Sequence, residues 1–591
     1  MLALIVGAFT CGGGFVYDDH AIIEQNTRLD GVAAPFRLLL DSYWGERFGL
    51  SLYRPLTLAS FAVEANLFGR DSALPFHLAS TLLYAIVAVL VAILTMQLGA
   101  GRRTAMLIGA LFAVHPIHTE AVASLVGRAE LGSAAFVLLT AIVAARCSRR
   151  ARWGWGGALA AGLCVACALG FKESGIVALA ALVWTPLLAR GSALPAVVAE
   201  RGRHGAGALL LAALAVGLWA LARGAALSGV DAFMPVNRLD NPLASLPGAE
   251  RVAGALALSL RAASMSLWPW PLSADYSLAA LEAPTSLLAP AALGGALMWI
   301  GGILVAIFTR VRAPLVSFGL MLFFASLLPT SNLVFPIGTI FAERLLFLPS
   351  TGVVIALAGV ARALSRRWPG SRRPLIVAAW LAILAGGAAF ATRGLEWRDE
   401  HTLSAAITRV QPGSAKGWSK LGWQHWKRAG ELEGEMRTAQ LDEARRLLRH
   451  ALEIYPEYID AQTSLAIVEL TSGDSAAAEA EARRAIDLAP AYPRAHLVLV
   501  EVIVHRAVDR FLAGDPAAAF TLSSELLGRA PEHPGRPAVT DRLPALLSLR
   551  ADAAIALRRF VDAAADIDTL AGVIGEEQVA PLRRKLSAAR R

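Results

Sequence analysis

Charge is scarce in this chain: Asp, Glu, Lys and Arg make up 17% of its 591 residues. Soluble domains run nearer a quarter, so most of the chain is not built to face water. Cysteine is scarcer. The four, Cys11, Cys147, Cys164 and Cys167, all lie in or beside apolar segments, which excludes a disulfide framework. Cys164 and Cys167 form a CxxC inside "AGLCVACALG". A redox or metal site needs accessible thiolates, and this stretch reads instead as small residues on a buried helix. The formal charge of +9 comes without a basic patch interleaved with aromatics, so no nucleic acid is implied. Residues 1–16 lack a basic leading region and a clear small-residue cleavage site. They read as a first span rather than a signal peptide.

What is abundant is apolar surface, at 56% of residues, as a protein with many membrane spans requires. Runs long enough to cross a bilayer, or nearly so, fall at 1–16, 76–99, 104–114, 119–146, 154–171, 174–190, 205–226, 287–309, 314–330, 350–364 and 374–392, about eleven in all. Basic residues collect at Arg102-Arg103, in "RCSRRAR" from Arg146 to Arg152, from Arg190 to His204, at Arg310 with Arg312, and in "ARALSRRWPGSRRP". Placing all five loops in the cytoplasm gives a consistent alternation, provided 250–268 does not cross. The N-terminus is then inside. Residues 17–75 form a long first outer loop, and 115–119, 171–174, 225–286, 331–349 and everything after Thr392 also face outward. Within the first loop, "GVAAPFRLLLDSYWG" and "LYRPLTLASFAVEANLFG" carry apolar residues at helical spacing and read as amphipathic helices at the interface.

From about 400 onward the composition changes to Ala, Leu, Arg and Glu with helical period. Ala444 and Ala478, Ala451 and Ala485, Pro456 and Pro490, and Ala461 and Ala495 are each 34 apart. That period, with small residues at helix crossings and proline after the second helix, is the tetratricopeptide pattern. "WSKLGW" opens an earlier repeat, followed by an insertion before Ala444. A third repeat holds an insertion before Gly514 and ends near Pro531, and a degenerate fourth runs through "ALRRFVDAAADI". Such stacked helix pairs form a concave surface for a protein acceptor or partner protein.

Charged residues at span edges mark candidate sites, because burying them near hydrocarbon is costly. Asp18-Asp19 directly follows the first apolar run. A carboxylate there can take a proton from an acceptor hydroxyl or hold a metal, and two together can split those roles, although a solvated helix cap is the plainer reading. "HPIHTEAVASLVGRAELG" carries His115, His118 and Glu120, then Arg128 and Glu130. The first three could hold a divalent ion, but their spacing matches no common zinc signature. Arg128 and Glu130 fall on different helix faces and pair with other spans rather than each other. "GFKESGI" places Lys172-Glu173 where two apolar runs meet, suited to a phosphate or to a snorkelling lysine. "SNLVFPIGTIFAERLLFLPSTG" carries Glu343-Arg344, and "YRP" adds Arg54. An arginine in a partly dry site binds phosphate strongly, or else forms an internal ion pair with Glu120 or Asp19. Cations plus carboxylates on one face suit a lipid-linked phosphosugar. Buried charges of this kind also serve proton-coupled transporters, but the internal repeat that a transporter would show among its spans is missing.

The tyrosine and acidic pair after the first span, "YRPLT", "HPIHTEAVASLVGRAE", "FKESGI", "FAERLLFLPSTG" and the trailing repeats together resemble the transmembrane and tetratricopeptide repeat-containing protein O-mannosyltransferases and their bacterial relatives. The resemblance covers nearly the whole chain. It implies a C-type integral-membrane glycosyltransferase fold, an inverting transfer and a polyprenyl-phosphate mannose donor. The acceptors it implies are Ser or Thr hydroxyls of secretory proteins. Carried onto this sequence, it makes Asp18 the base and Asp19 its helper. Arg54, Arg128, Lys172 and Arg344 become donor-phosphate candidates, with His115, His118, Glu120, Glu130, Glu173 and Glu343 in support. The expected architecture is all-α: a polytopic membrane bundle over 1–395, then a tetratricopeptide α-solenoid over 396–591 outside the membrane, in a bacterial inner membrane. No cofactor is expected beyond the lipid-linked sugar donor, no residue is assigned as a metal ligand, and dependence on a divalent metal is left open. The competing expectation is a non-enzymatic membrane scaffold whose repeats recruit partners.

Overall fold

The computed structural model describes residues 1–45, 52–149, 154–188, 202–228, 236–528 and 536–591, with side chains from 205 onward in the segment that begins at 202. Arg150 and Arg152, the basic stretch from Arg190 to His204, and Pro531 lie outside the described residues or side chains. All regular structure among the described residues is helical. The chain divides into two compact units, Met1–Gly413 and Ser414–Arg591.

In the first unit six helical stretches are long and apolar enough to cross a membrane: Leu74–Gln97, Leu125–Arg149, Gly205–Ala226, Pro290–Thr309, Glu343–Arg367 and Pro369–Glu396. A bent pair, Arg102–Ala113 with Pro116–Ala123, makes a seventh if taken as one span, and Trp155–Phe171, Glu173–Leu188 and Pro314–Thr330 are shorter apolar helices. With so much apolar length the chain is an integral membrane protein. Gly248–Leu267 is twenty residues long. It carries Glu250, Arg251 and Arg261, is not among the six, and ties down the 331–346 segment through Arg251 Nη1, which donates to the Asn332 carbonyl at 2.6 Å. The run at 1–16 differs from expectation. It is helical only over Leu2–Ala8, and Gly12, Gly13 and Gly14 follow with a backbone free to bend into the outer loop. Of the two expected amphipathic helices, Pro55–Phe68 forms. The other is short: a turn of α-helix at Ala34–Arg37 followed directly by a 3-10 turn at Leu38–Leu40. Val32, Phe36, Leu40, Leu67 and Phe68 in these segments stay exposed.

Small residues set how closely the spans approach. Pro314–Leu327 and Phe347–Arg367 cross at Gly319 and Gly352, where a Cβ on either would collide with the other's carbonyl oxygen. This contact, of the kind membrane helices use to bring backbones together, holds the helix that begins just after Glu343-Arg344.

The second unit is a run of helix pairs: Ala415–Ala429 with Gly434–Ile454, Ile459–Thr471 with Ser475–Leu488, Pro493–Leu512 with Pro516–Leu527, and Leu543–Ala556 with Phe560–Ile574, closed by Glu576–Arg590. Each helix packs on the next, and the first helices of successive pairs touch. Ala444, Ala451, Ala461, Ala478, Ala485 and Ala495 are completely buried at these crossings. The insertion before Ala444 is helical and lengthens its helix to 21 residues. The insertion before Gly514 likewise gives a 20-residue helix where the preceding repeat has 13.

Candidate functional site

The two adjacent aspartates are not equivalent. Residues 9–19 turn back after the first helix, and Tyr17 adopts φ +53°, a left-handed conformation that costs a non-glycine residue free energy. This turn sends Asp19 inward, where it is fully buried. Its Oδ1 accepts the Val126 N–H at 3.0 Å, and its Oδ2 accepts the N–H groups of Leu125 and Val16, each at 3.3 Å. It therefore pins the loop to the first turn of the Leu125–Arg149 span, whose N–H groups lack partners within the helix. Burial pushes the Asp19 carboxyl up to about 7, and its three N–H donors oppose that rise. Asp18 points the other way. It is half-buried and has no hydrogen bond or ion pair among the described residues.

The basic residues each reach across to a carboxylate on another element. Arg54, just before the Pro55–Phe68 helix, forms a two-pronged bond with Glu173, Nε to Oε2 at 3.0 Å and Nη2 to Oε1 at 2.6 Å, and its guanidinium lies over the Tyr43 ring. Lys172, next to Glu173, is buried and bonds to Glu130. Arg344 donates from its backbone N–H and from Nη1 to Glu120, at 2.8 and 2.7 Å. Arg344 also lies within electrostatic reach of Asp18 and Glu130, and Arg54 within reach of Glu130. Asp18, Arg344, Glu120, Glu130, Lys172, Glu173 and Arg54 thus belong to one charged cluster at the ends of four apolar segments.

Access within this cluster is uneven. The Arg344 side chain is 35% exposed and commits one guanidinium nitrogen to Glu120, while the Lys172 side chain is 6% exposed. Beside them an apolar cleft runs between Gly248–Leu267 and the 340–346 segment, lined by Leu258, Ala262, Leu327, Ile340, Phe341 and Leu346. A second small cleft holds Glu130, Ser133, Ser174 and Thr330, and Leu345 borders both.

Arg128 stands apart. Its guanidinium grips Glu64 at 2.6 and 2.9 Å, donates to the Phe76 carbonyl, and bonds to Ser60 and Ser80. At 3% side-chain exposure it has no donor left for a ligand. His118 is also spent: Nδ1–H donates to the Phe112 carbonyl at 3.0 Å, which leaves Nε2 to accept from the Ser350 hydroxyl at 2.9 Å. His115 Nε2–H donates to the Ser266 carbonyl. With Glu120 held by Arg344, these three do not converge on a metal position. Glu343 faces away from Arg344 into a buried group, accepting from Tyr276 Oη at 2.7 Å and lying 3.7 Å from Arg393.

Several partners here carried no clear signal in the sequence. Glu64 was visible as a lone charge in an apolar helix, but its pairing with Arg128 was not. Tyr43, Tyr276 and Arg393 sit in segments that read as ordinary loop or span edge, and Glu400 reads as the start of the tail.

No protein-family model matches the chain. Curated relatives do. The chain is 29% identical over 507 residues to protein O-mannosyl-transferase TMTC3 of Mus musculus, covering 81% of this chain and 53% of that protein. It is 28% identical over 479 residues to protein O-mannosyl-transferase TMTC4 of Homo sapiens, covering 71% and 62%. A 188-residue stretch is 36% identical to protein O-mannosyl-transferase tmtc2 of Xenopus laevis, covering 30% and 22%. The motifs and the relatives point to the same family, the TMTC protein O-mannosyl-transferases. The chain spans about half to three fifths of the length of the TMTC3 and TMTC4 relatives.

Proposed function

We propose that the first unit is a glycosyltransferase that moves mannose from a polyprenyl phosphate to hydroxyl groups of proteins outside the membrane, with Asp18 as the general base. One observation carries this reading: Asp18 is the carboxylate of the cluster left without a partner, and it lies within reach of the most exposed cation, Arg344. The reaction class is supported by the relatives, which are protein O-mannosyl-transferases by name.

In this reading the acceptor hydroxyl gives its proton to Asp18, and its oxygen attacks the anomeric carbon of the sugar. The bond from that carbon to the phosphate oxygen breaks, and the lipid phosphate leaves with the electron pair. Arg344 neutralises the departing charge with its unused donors, and Arg54 and Lys172 add positive field from their pairs with Glu173 and Glu130. Arg128 acts through Glu64 as a structural tie. The finer organisation follows the same reading: about eleven crossings when the shorter apolar helices are included, an outer-face cluster, a tetratricopeptide solenoid that presents acceptor or partner proteins, and a bacterial inner membrane.

The test uses membranes containing the chain, labelled polyprenyl-phosphate mannose and a Ser/Thr-rich acceptor. Asp18→Asn should lower transfer roughly a hundredfold to ten-thousandfold, the usual worth of a general base. Transfer that survives Asp18→Asn combined with Asp19→Asn overturns the mechanism.

A further inference from the structure

The turn that aims Asp18 is held from a distant part of the chain. Tyr17, with its φ of +53°, donates its backbone N–H to Glu400 Oε1 at 2.5 Å, 383 residues away. Glu400 is 12% exposed and also lies 3.7 Å from His20 Nε2, so one carboxylate meets the chain on both sides of the aspartate pair. The segment before Glu400 makes further ties. Gly14 N–H donates to the Arg398 carbonyl at 2.9 Å, and Trp397 packs with Val16, Leu403 and Ile407, its ring 6.4 Å from that of Tyr17. Asp399 fixes this segment in turn by capping the Glu400–Val410 helix, accepting the Thr402 N–H.

We infer that Glu400 is a positioning residue for the transfer reaction: by accepting the Tyr17 N–H it holds the left-handed turn that sends Asp19 into the protein and leaves Asp18 facing the reacting hydroxyl. The physical argument is geometric. A strained backbone conformation persists only where its surroundings determine it. Asp19 fixes the turn on the side of the Leu125–Arg149 span, but its bonds begin at Val16 and skip Tyr17. Glu400 supplies an acceptor at the strained residue itself. Without it Tyr17 relaxes toward negative φ and rotates the Cα–Cβ direction of Asp18. This inference rests on Asp18 being the base.

Two measurements on the full-length chain in detergent test it. Hydrogen exchange of the 15–24 segment should quicken roughly tenfold or more in Glu400→Ala, as expected when a protecting bond is lost. It should match wild type in Glu400→Gln, whose amide oxygen still accepts. Transfer assays should show kcat falling on the order of tenfold to a hundredfold in Glu400→Ala, with donor KM unchanged and Glu400→Gln close to wild type, since a small misplacement of a catalytic group costs that much. Unchanged exchange in Glu400→Ala overturns the inference whatever the activity. Equal loss of kcat in both variants also overturns it, because the charge rather than the acceptor would then be what matters. If exchange responds as expected but wild-type protein shows no Asp18-dependent transfer, the anchoring stands and the glycosyltransferase reading fails.

Discussion

Asp18 and Asp19 are neighbours with opposite environments, and the difference leads to separate expectations. Asp19 is buried with its carboxyl raised from 3.8 to about 7, so the folded protein favours the neutral acid. A group raised in this way contributes its full stability below its unfolded value and loses it as pH climbs through the folded one. The stability difference between wild type and Asp19→Asn, followed by thermal unfolding, should therefore shift against wild type as pH rises from about 4 to about 7 and then level off. Arg344→Lys keeps the charge but loses the fork that can hold phosphate. Donor KM should rise on the order of tenfold to a hundredfold, the worth of a charge-assisted bond, with kcat less affected. The sequence made the aspartate pair visible as a candidate site. The resemblance favoured Asp18 as the base, but the different burial of the two depends on the Leu125 and Val126 amides, 106 and 107 residues away, which sequence spacing does not show.

At the scale of elements, the Arg128–Glu64 pair joins the outer-loop helix Pro55–Phe68 to the Leu125–Arg149 span. Both side chains are largely buried, so removing one leaves the other charged without a partner. Arg128→Ala should cost about 3–5 kcal/mol of stability, seen as a lower unfolding temperature in detergent. Combining Arg128→Leu with Glu64→Leu should cost less than either alone. A result in which Arg128→Ala leaves stability intact but weakens donor binding would return Arg128 to the phosphate. Helix positions were readable here where apolar residues kept a 3.6-residue period, as in Ala415–Ala429 and Gly434–Ile454. They were not readable at 1–16, where an apolar run continues through residues that do not stay helical. For Arg344 the pair with Glu120 is one of the two internal partners the sequence offered, but spacing did not identify Glu173 and Glu130 as the partners of Arg54 and Lys172, since ion pairs between elements leave no mark on local sequence spacing.

At the scale of the molecule, the basic loops and the apolar helices predict an orientation that can be checked directly. A cysteine introduced near Ala391, in a background where the four native cysteines are replaced, should react with an impermeant reagent from outside intact cells. Protection until lysis would reverse the assignment of every outer loop, the aspartate pair included. Composition changes near residue 400, whereas the chain divides into its two compact units between Gly413 and Ser414. What composition could not foresee is that residues 397–400, just past the last apolar run, serve the opposite end of the chain. Gly14 and Tyr17 rest on Arg398 and Glu400, and the helix that carries Glu400 ends three residues before Gly413. This has a practical consequence for anyone exchanging repeat units between relatives. A chimaera joined immediately after the last span would inherit a foreign seat for the aspartate loop and lose turnover even with every membrane residue intact, whereas one joined after Gly413 would keep its own.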